Sequence, residues 1–240
     1  FRRTQRIGIH AAKRARRTTE QRITDAQIGE PCRTRPIAPG PFRGMDADAL
    51  RSAKTRRAAV LALPGLPGTA REIAALQKAF GAQGALTLTG ADATERRLAA
   101  WSANGTLARA KIVHFATHGL LAGSLSELAE PALALTPPAA DVARIGPWQT
   151  DDGLLLASEI SQLRLNADWV LLSACNTAAG DRPDAQGLSG LARAFFFAGA
   201  RALLVTHWAV EDAVAARLMA NTVLHAQGAV SRAQALRAAM

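Results

Sequence analysis

Trp169-Val-Leu-Leu-Ser-Ala-Cys175-Asn-Thr-Ala-Ala-Gly180 decides the architecture. Trp169 to Leu172 is a short apolar run, the pattern of a strand buried on both faces. Small residues follow, then a cysteine, then Asn, Thr and Gly, which break regular structure. A thiol at the C-terminal end of a buried parallel strand stands where open α/β sheets present ligands and reacting groups. By residue type alone a cysteine is more often a packed small hydrophobe than a nucleophile. The surroundings of Cys175 therefore carry the decision.

Working outward, strands and helices alternate from residue 59 to the end. Upstream of Cys175, the pattern predicts strands at Ala59–Leu63, Leu86–Thr89, Lys111–Thr117 and Pro131–Leu135. Between them it predicts a helix from Thr69 to Phe80, with Glu72 at capping-box spacing, and another opening at Asp92 or Thr94. Pro64-Gly-Leu-Pro-Gly68 is a turn, Pro137 to Trp148 a surface excursion, and Ser158–Leu163 a short helix. Beyond the cysteine come a buried helix over Gly187–Ala198 stopped by Gly199, a strand over Ala202–Thr206, and helices at 211–226 and 231–239. This alternation predicts an α/β fold, a mostly parallel sheet flanked by helices on both faces.

Charge divides the chain. Residues 1–58 hold 15 Lys and Arg against 5 Asp and Glu, whereas residues 59–240 hold 14 of each. The whole net charge of +10 thus belongs to the first 58 residues. The stretch Pro31 to Gly44 is dense in breakers, so 1–58 is expected to be a basic, linker-like or disordered segment ahead of a domain over 59–240. Such a segment binds polyanions non-specifically at most, and no specific nucleic-acid partner is expected. No apolar run approaches the roughly 20 residues that cross a bilayer, and no membrane partner is expected. The N-terminus lacks the apolar core of a secretory signal. Beginning on Phe1 rather than Met, the sequence is expected to be a piece of a longer protein. Two cysteines, Cys32 and Cys175, exclude a disulfide framework and suit a reducing, cytoplasmic compartment.

Three predicted strands end in residues of chemical interest: His118, Cys175 and His207. Cysteine-peptidase chemistry needs a thiolate, an imidazole to generate it, and donors for an oxyanion. His118 precedes Gly119, which leaves its backbone N–H open to a substrate. His207 precedes the bulky Trp208. The chemistry favours His118 as base and leaves His207 a candidate. His114 and His118 are not a metal pair, because four strand residues separate them by roughly 13 Å; His114 suits a buried structural role. Cys32 and His10 lack partners at ligand spacing. Ser173 and Ser189 lack a nucleophile elbow. The Pro64–Gly68 turn lacks the lysine and glycine spacing of a phosphate loop. No cofactor or metal is called for.

Ile112-Val-His-Phe-Ala-Thr-His118-Gly119 and Val170-Leu-Leu-Ser-Ala-Cys175-Asn-Thr-Ala resemble the two catalytic blocks of CHAT domains, relatives of the caspases and separases. Four further blocks match in order: Leu63 to Glu72, Asp152-Gly-Leu-Leu, Gly187 to Phe195, and Ala198-Gly-Ala-Arg201 with Trp208. The resemblance runs from about residue 59 to the end. It implies a caspase-like fold and a cysteine endopeptidase acting on a protein substrate. It also implies His118 as general base, Cys175 as nucleophile, and an oxyanion hole built from the N–H groups of Gly119 and Cys175. CHAT domains often follow tetratricopeptide-type repeats, so gating by such a domain or another activating partner is implied. The alternative is an inactive CHAT-fold interaction or scaffold module. In this family the side chain before the scissile bond is held near the sheet's C-terminal edge. Asp152, Trp208 and Asp212 are the pocket candidates for a basic side chain, while Glu211 suits the negative start of a helix.

Overall fold

The computed structural model describes residues 8–12, 47–80, 85–139, 143–144, 150–173, 187–205, 212–226 and 230–240. In chain order the elements are β1 (Gly8–Ala12), α1 (Ala47–Leu61), α2 (Pro67–Phe80), β2 (Ala85–Thr89), a 3-10 turn at Gly90–Asp92, α3 (Glu95–Ala103), α4 (Thr106–Arg109), β3 (Ile112–Ala116), β4 (Gly119–Leu120), β5 (Ala132–Ala134), β6 (Ala143–Arg144), β7 (Thr150–Asp151), β8 (Leu154–Leu156), α5 (Ala157–Ile160), β9 (Trp169–Leu172), α6 (Gly187–Phe197), β10 (Leu203–Val205), α7 (Asp212–His225) and α8 (Arg232–Ala239).

The main sheet has the order β10-β9-β3-β1-β2. Among the described residues, parallel pairing is confined to β10, β9 and β3. The architecture is α/β, but the expectation of a mostly parallel sheet is corrected: β1 runs antiparallel to both its neighbours, β3 and β2. A second sheet, β4-β5-β8, and a small ribbon, β6-β7, are wholly antiparallel.

Strand side chains alternate between faces, and the core divides accordingly. Val113, Phe115, Val170 and Leu172 join Leu98 of α3, Leu107 of α4, Ile160 of α5 and Phe195 of α6 in one cluster. The rings of Phe115 and Phe195 meet at 5.4 Å between centroids. Trp169 and Leu171 face the other way, onto Leu76 of α2 and Met219, Ala220 and Val223 of α7. Helices therefore cover both faces of the parallel core. A third cluster joins Val60 of α1 to Leu120, Ala132, Ala134 and Leu154 of the second sheet.

The N-terminal expectations need revision. Gly8–Ala12 is a sheet strand, and α1 runs through the expected boundary between Ala58 and Ala59. Ala59–Leu61 is the last turn of α1 rather than a strand. The residues before it are rich in Ala and Arg, which favour helix, and extending an existing helix is far easier than starting a new element. The sheet position beside β3 is taken by β1 instead. The next helix starts at Pro67, whose fixed φ suits a first helical position. Thr69 and Glu72 thus lie inside α2, both buried, and no capping box forms at Thr69.

Downstream, the main-sheet strands and longer helices fall where expected, but α4, β4 and β8 have no counterpart in the expectation, and Phe196 and Phe197 of the expected buried helix are exposed. Thr94 caps α3, its side chain accepting from the Arg97 N–H at 3.2 Å. Gly199 ends α6 at φ +106°, and a Cβ there would run into the Leu165 carbonyl. Most of the excursion from Pro137 to Trp148 lies outside the described residues, apart from its start and β6.

Candidate active site

β3 and β9 run in parallel register, Phe115 opposite Leu172, and the Ser173 N–H donates to the Phe115 carbonyl at 2.9 Å. Both strands leave the sheet at the same edge. His118 follows Phe115 by three residues and Cys175 follows Leu172 by three residues in sequence. Cys175, His207, Trp208 and Glu211 lie outside the described residues; Asp212 opens α7.

His118 is 3% exposed. Its Nε2 lies 2.8 Å from the carbonyl oxygen of Pro64. A carbonyl only accepts, so Nε2 carries the proton and Nδ1 is left as the basic atom. Nδ1 is buried and has no hydrogen-bond partner among the described residues. The backbone at His118 is tied to β5: the Ala134 N–H donates to the His118 carbonyl at 2.9 Å, and the Thr117 hydroxyl donates to the Ala134 carbonyl. In an antiparallel ladder bonded and non-bonded pairs alternate. With His118 and Ala134 a bonded pair, Gly119 and Leu133 form a non-bonded one, and the Gly119 N–H is directed away from β5.

Asp152 does not stand open to a substrate side chain. It is 1% exposed, and one carboxylate oxygen accepts from Arg56 Nε at 2.8 Å and Nη2 at 2.6 Å. The other oxygen accepts from the Leu154 N–H at 3.0 Å. The chain's own guanidinium, from the segment expected to be linker-like, occupies the place assigned to a basic ligand. Burial still pushes the Asp152 carboxyl up, with Arg56 opposing the shift.

Asp152 belongs to a buried acidic group that sequence reasoning missed. Glu95, at the start of α3, accepts from the N–H groups of Asp152 and Gly153 at 2.9 and 2.5 Å through one oxygen. Its other oxygen has no partner among the described residues. Glu159 of α5 accepts from Thr150 N–H at 3.0 Å and from Leu156 N–H at 2.9 Å. Asp151 is paired with the largely exposed Arg96. Desolvation, reinforced by Glu159 and Asp152, raises Glu95 well above the usual glutamate value. Desolvation likewise raises Glu159 to about 8 and raises Asp151. A buried carboxylate disfavours its neighbours' ionisation as well as its own.

His114 is buried, as expected, with Nε2 2.9 Å from Glu72 Oε1 of α2. The two atoms are in contact without the alignment of a hydrogen bond. Neither the Pro64 carbonyl nor Glu72 was legible as part of the site. A main-chain oxygen has no residue signature, and Glu72 matched the spacing of a cap. Among the described residues no cluster of three or more His, Cys, Asp and Glu side chains is arranged to hold a metal. Among them, too, no helix is long and apolar enough to cross a membrane.

Compared with known families, the sequence matches the CHAT domain over residues 2–240. The chain belongs to the CHAT domain family. The CHAT match takes in residues 2–58 as well as the remainder, in keeping with the placement of β1 and α1. Across 190 residues the chain is 33% identical to tetratricopeptide repeat protein 28 of Mus musculus, a match spanning 66% of this chain and 8% of the mouse protein. No solved structure matches this CHAT domain.

Proposed function

We propose that this CHAT domain is a caspase-like cysteine endopeptidase in which His118 and Cys175 cleave a protein substrate. The observation that carries the reading is His118 itself, at the exit of a parallel strand beside β9, with Nε2 committed to the Pro64 carbonyl and Nδ1 left as base. In this reading Nδ1 takes the thiol proton and the Cys175 thiolate adds to the scissile carbonyl. The N–H groups of Gly119 and Cys175 receive the oxyanion. The intermediate collapses as His118 returns the proton to the departing amine, and water releases the acyl group from the thioester. Trp208 and Asp212 are the pocket candidates, since Asp152 is already paired with Arg56. The reaction draws on no cofactor, and a cytoplasmic setting keeps the thiol reduced. The name of the mouse relative supports gating by a tetratricopeptide-type repeat domain, in the same chain or a partner.

Incubation of the full chain with a peptide library, alone and with candidate repeat-domain activators, is expected to give cleavage. Cys175→Ala and His118→Ala should each reduce it by about 10³-fold or more. A Cys175 that stays inert to a covalent thiol probe in the folded, activated protein overturns the reading. The near-complete burial of His118 favours a second reading, a CHAT-fold interaction module without turnover. Turnover by the chain alone eliminates that alternative.

A further inference from the structure

We propose that the buried Glu72–His114 pair is a positioning clamp that holds the Pro64 carbonyl against His118. The inference rests on the reading of His118 as the base and identifies what orients it.

Two elements carry one group each and lead directly to the other two. β3 bears His114 and leads, four residues later, to His118; α2 bears Glu72 and is preceded by Pro64, three residues before the helix begins. One contact across these elements is Glu72 to His114 at 2.9 Å, and the other is Pro64 to His118 at 2.8 Å. Fixing the helix along the strand through the first contact therefore sets the second.

Among the described residues, one other polar contact joins α2 to the sheet, an exposed hydrogen bond from Gln77 Nε2 to the Thr87 hydroxyl at 3.0 Å, near the end of the helix remote from Pro64; the remaining contacts are apolar. Leu76 packs on Trp169 and Leu171, with Phe80 beside them. Apolar packing is non-directional and tolerates sliding. The buried polar pair does not. His114 and Glu72 are 0% and 1% exposed, and neither the imidazole nitrogens nor Glu72 Oε1 has an aligned hydrogen bond among the described residues. Each group's burial is offset by the other, so displacing the helix separates them at high cost. Apolar residues would stabilise this interface equally well or better, and the best-attested use of a buried polar pair is registry. Displacement matters because a misplacement of about 1 Å in a catalytic group costs on the order of 100-fold in rate.

The test uses the full chain carrying Cys32→Ser, which leaves Cys175 as its thiol, and measures the pH profile of Cys175 alkylation by iodoacetamide. In the parent, His118 should sustain alkylation down to about pH 6.5, below the ordinary thiol range, and His118→Ala should lose that limb. The decisive variant is the double substitution Glu72→Leu with His114→Leu. Replacing both partners leaves no buried polar group without its counterpart, so the melting midpoint should be retained. Alkylation near pH 6.5 should nonetheless fall about tenfold as the carbonyl loses its placement. Glu72→Gln keeps the side chain's shape and weakens the attraction, and should lower the limb about threefold. A wild-type profile in the folded double variant overturns the clamp. If the double variant does not fold, a wild-type profile in Glu72→Gln overturns it. Failure of the catalytic reading is separately visible: His118→Ala then retains the parent profile.

Discussion

Glu95→Gln tests the protonation of the buried acidic group. Glu95 receives two backbone N–H groups on one oxygen, and its second oxygen is unpartnered among the described residues. A glutamine keeps the accepting oxygen and places its amide where the unpartnered oxygen stands, able to donate to neighbouring carboxyl groups. The native pKa values of Glu95 and Glu159 lie above the ordinary 4.5, that of Glu159 at about 8. Between these limits the folded state holds protons that the unfolded chain has released. Stability is therefore highest below the unfolded value and falls as pH rises toward the folded one. Each proton so held contributes a slope of about −1.4 kcal/mol per pH unit, and two contribute about −2.7. Glu95→Gln should remove one, flattening the slope by up to about 1.4 kcal/mol per unit as pH rises above the ordinary glutamate range. Urea unfolding of parent and variant through that rise in pH isolates the difference, because histidine titrations are common to both. Parallel pH slopes for the two proteins would refute the reasoning, since Glu95 would then be ionised in the folded state.

Glu159→Gln should flatten the slope similarly but carry an added cost of about 1–3 kcal/mol at every pH. Both its oxygens accept backbone N–H groups, and an amide nitrogen cannot; urea midpoints near pH 5 reveal the offset. Arg56→Ala leaves the buried Asp152 carboxylate without its cation, and a loss of about 3–5 kcal/mol is expected by thermal melting. A loss below about 0.5 kcal/mol would mean that α1 does not hold that position. Gly199→Ala imposes φ +106° on a residue with a Cβ directed at the Leu165 carbonyl, and should cost at least about 1–3 kcal/mol in chemical denaturation.

Local pattern was sufficient for the main-sheet strands after residue 85. The apolar runs at Ile112–Ala116, Trp169–Leu172 and Leu203–Val205 are strands because a strand buried on both faces must be continuously apolar. The Thr94 cap and Gly199 stop act within a few residues of themselves. The role of His114 as a packed histidine was also legible, from the strand spacing that separates it from His118. The family blocks around His118 and Cys175 belong to the same local record.

Tertiary structure decided what local pattern does not encode. Ala59–Leu61 suits a strand by composition, but it continues a helix already formed upstream, and Gly8–Ala12 takes the sheet position instead. Asp152 faces Arg56 across 96 residues of chain, a pairing on which no spacing rule bears. Glu72 fits a cap by spacing and a buried partner of His114 by packing, and packing prevailed because the helix starts two residues earlier, at Pro67. The Pro64 carbonyl is the plainest case. Side-chain chemistry can be read along a sequence, but a main-chain oxygen is the same at every residue, and only the fold selects the one that meets His118.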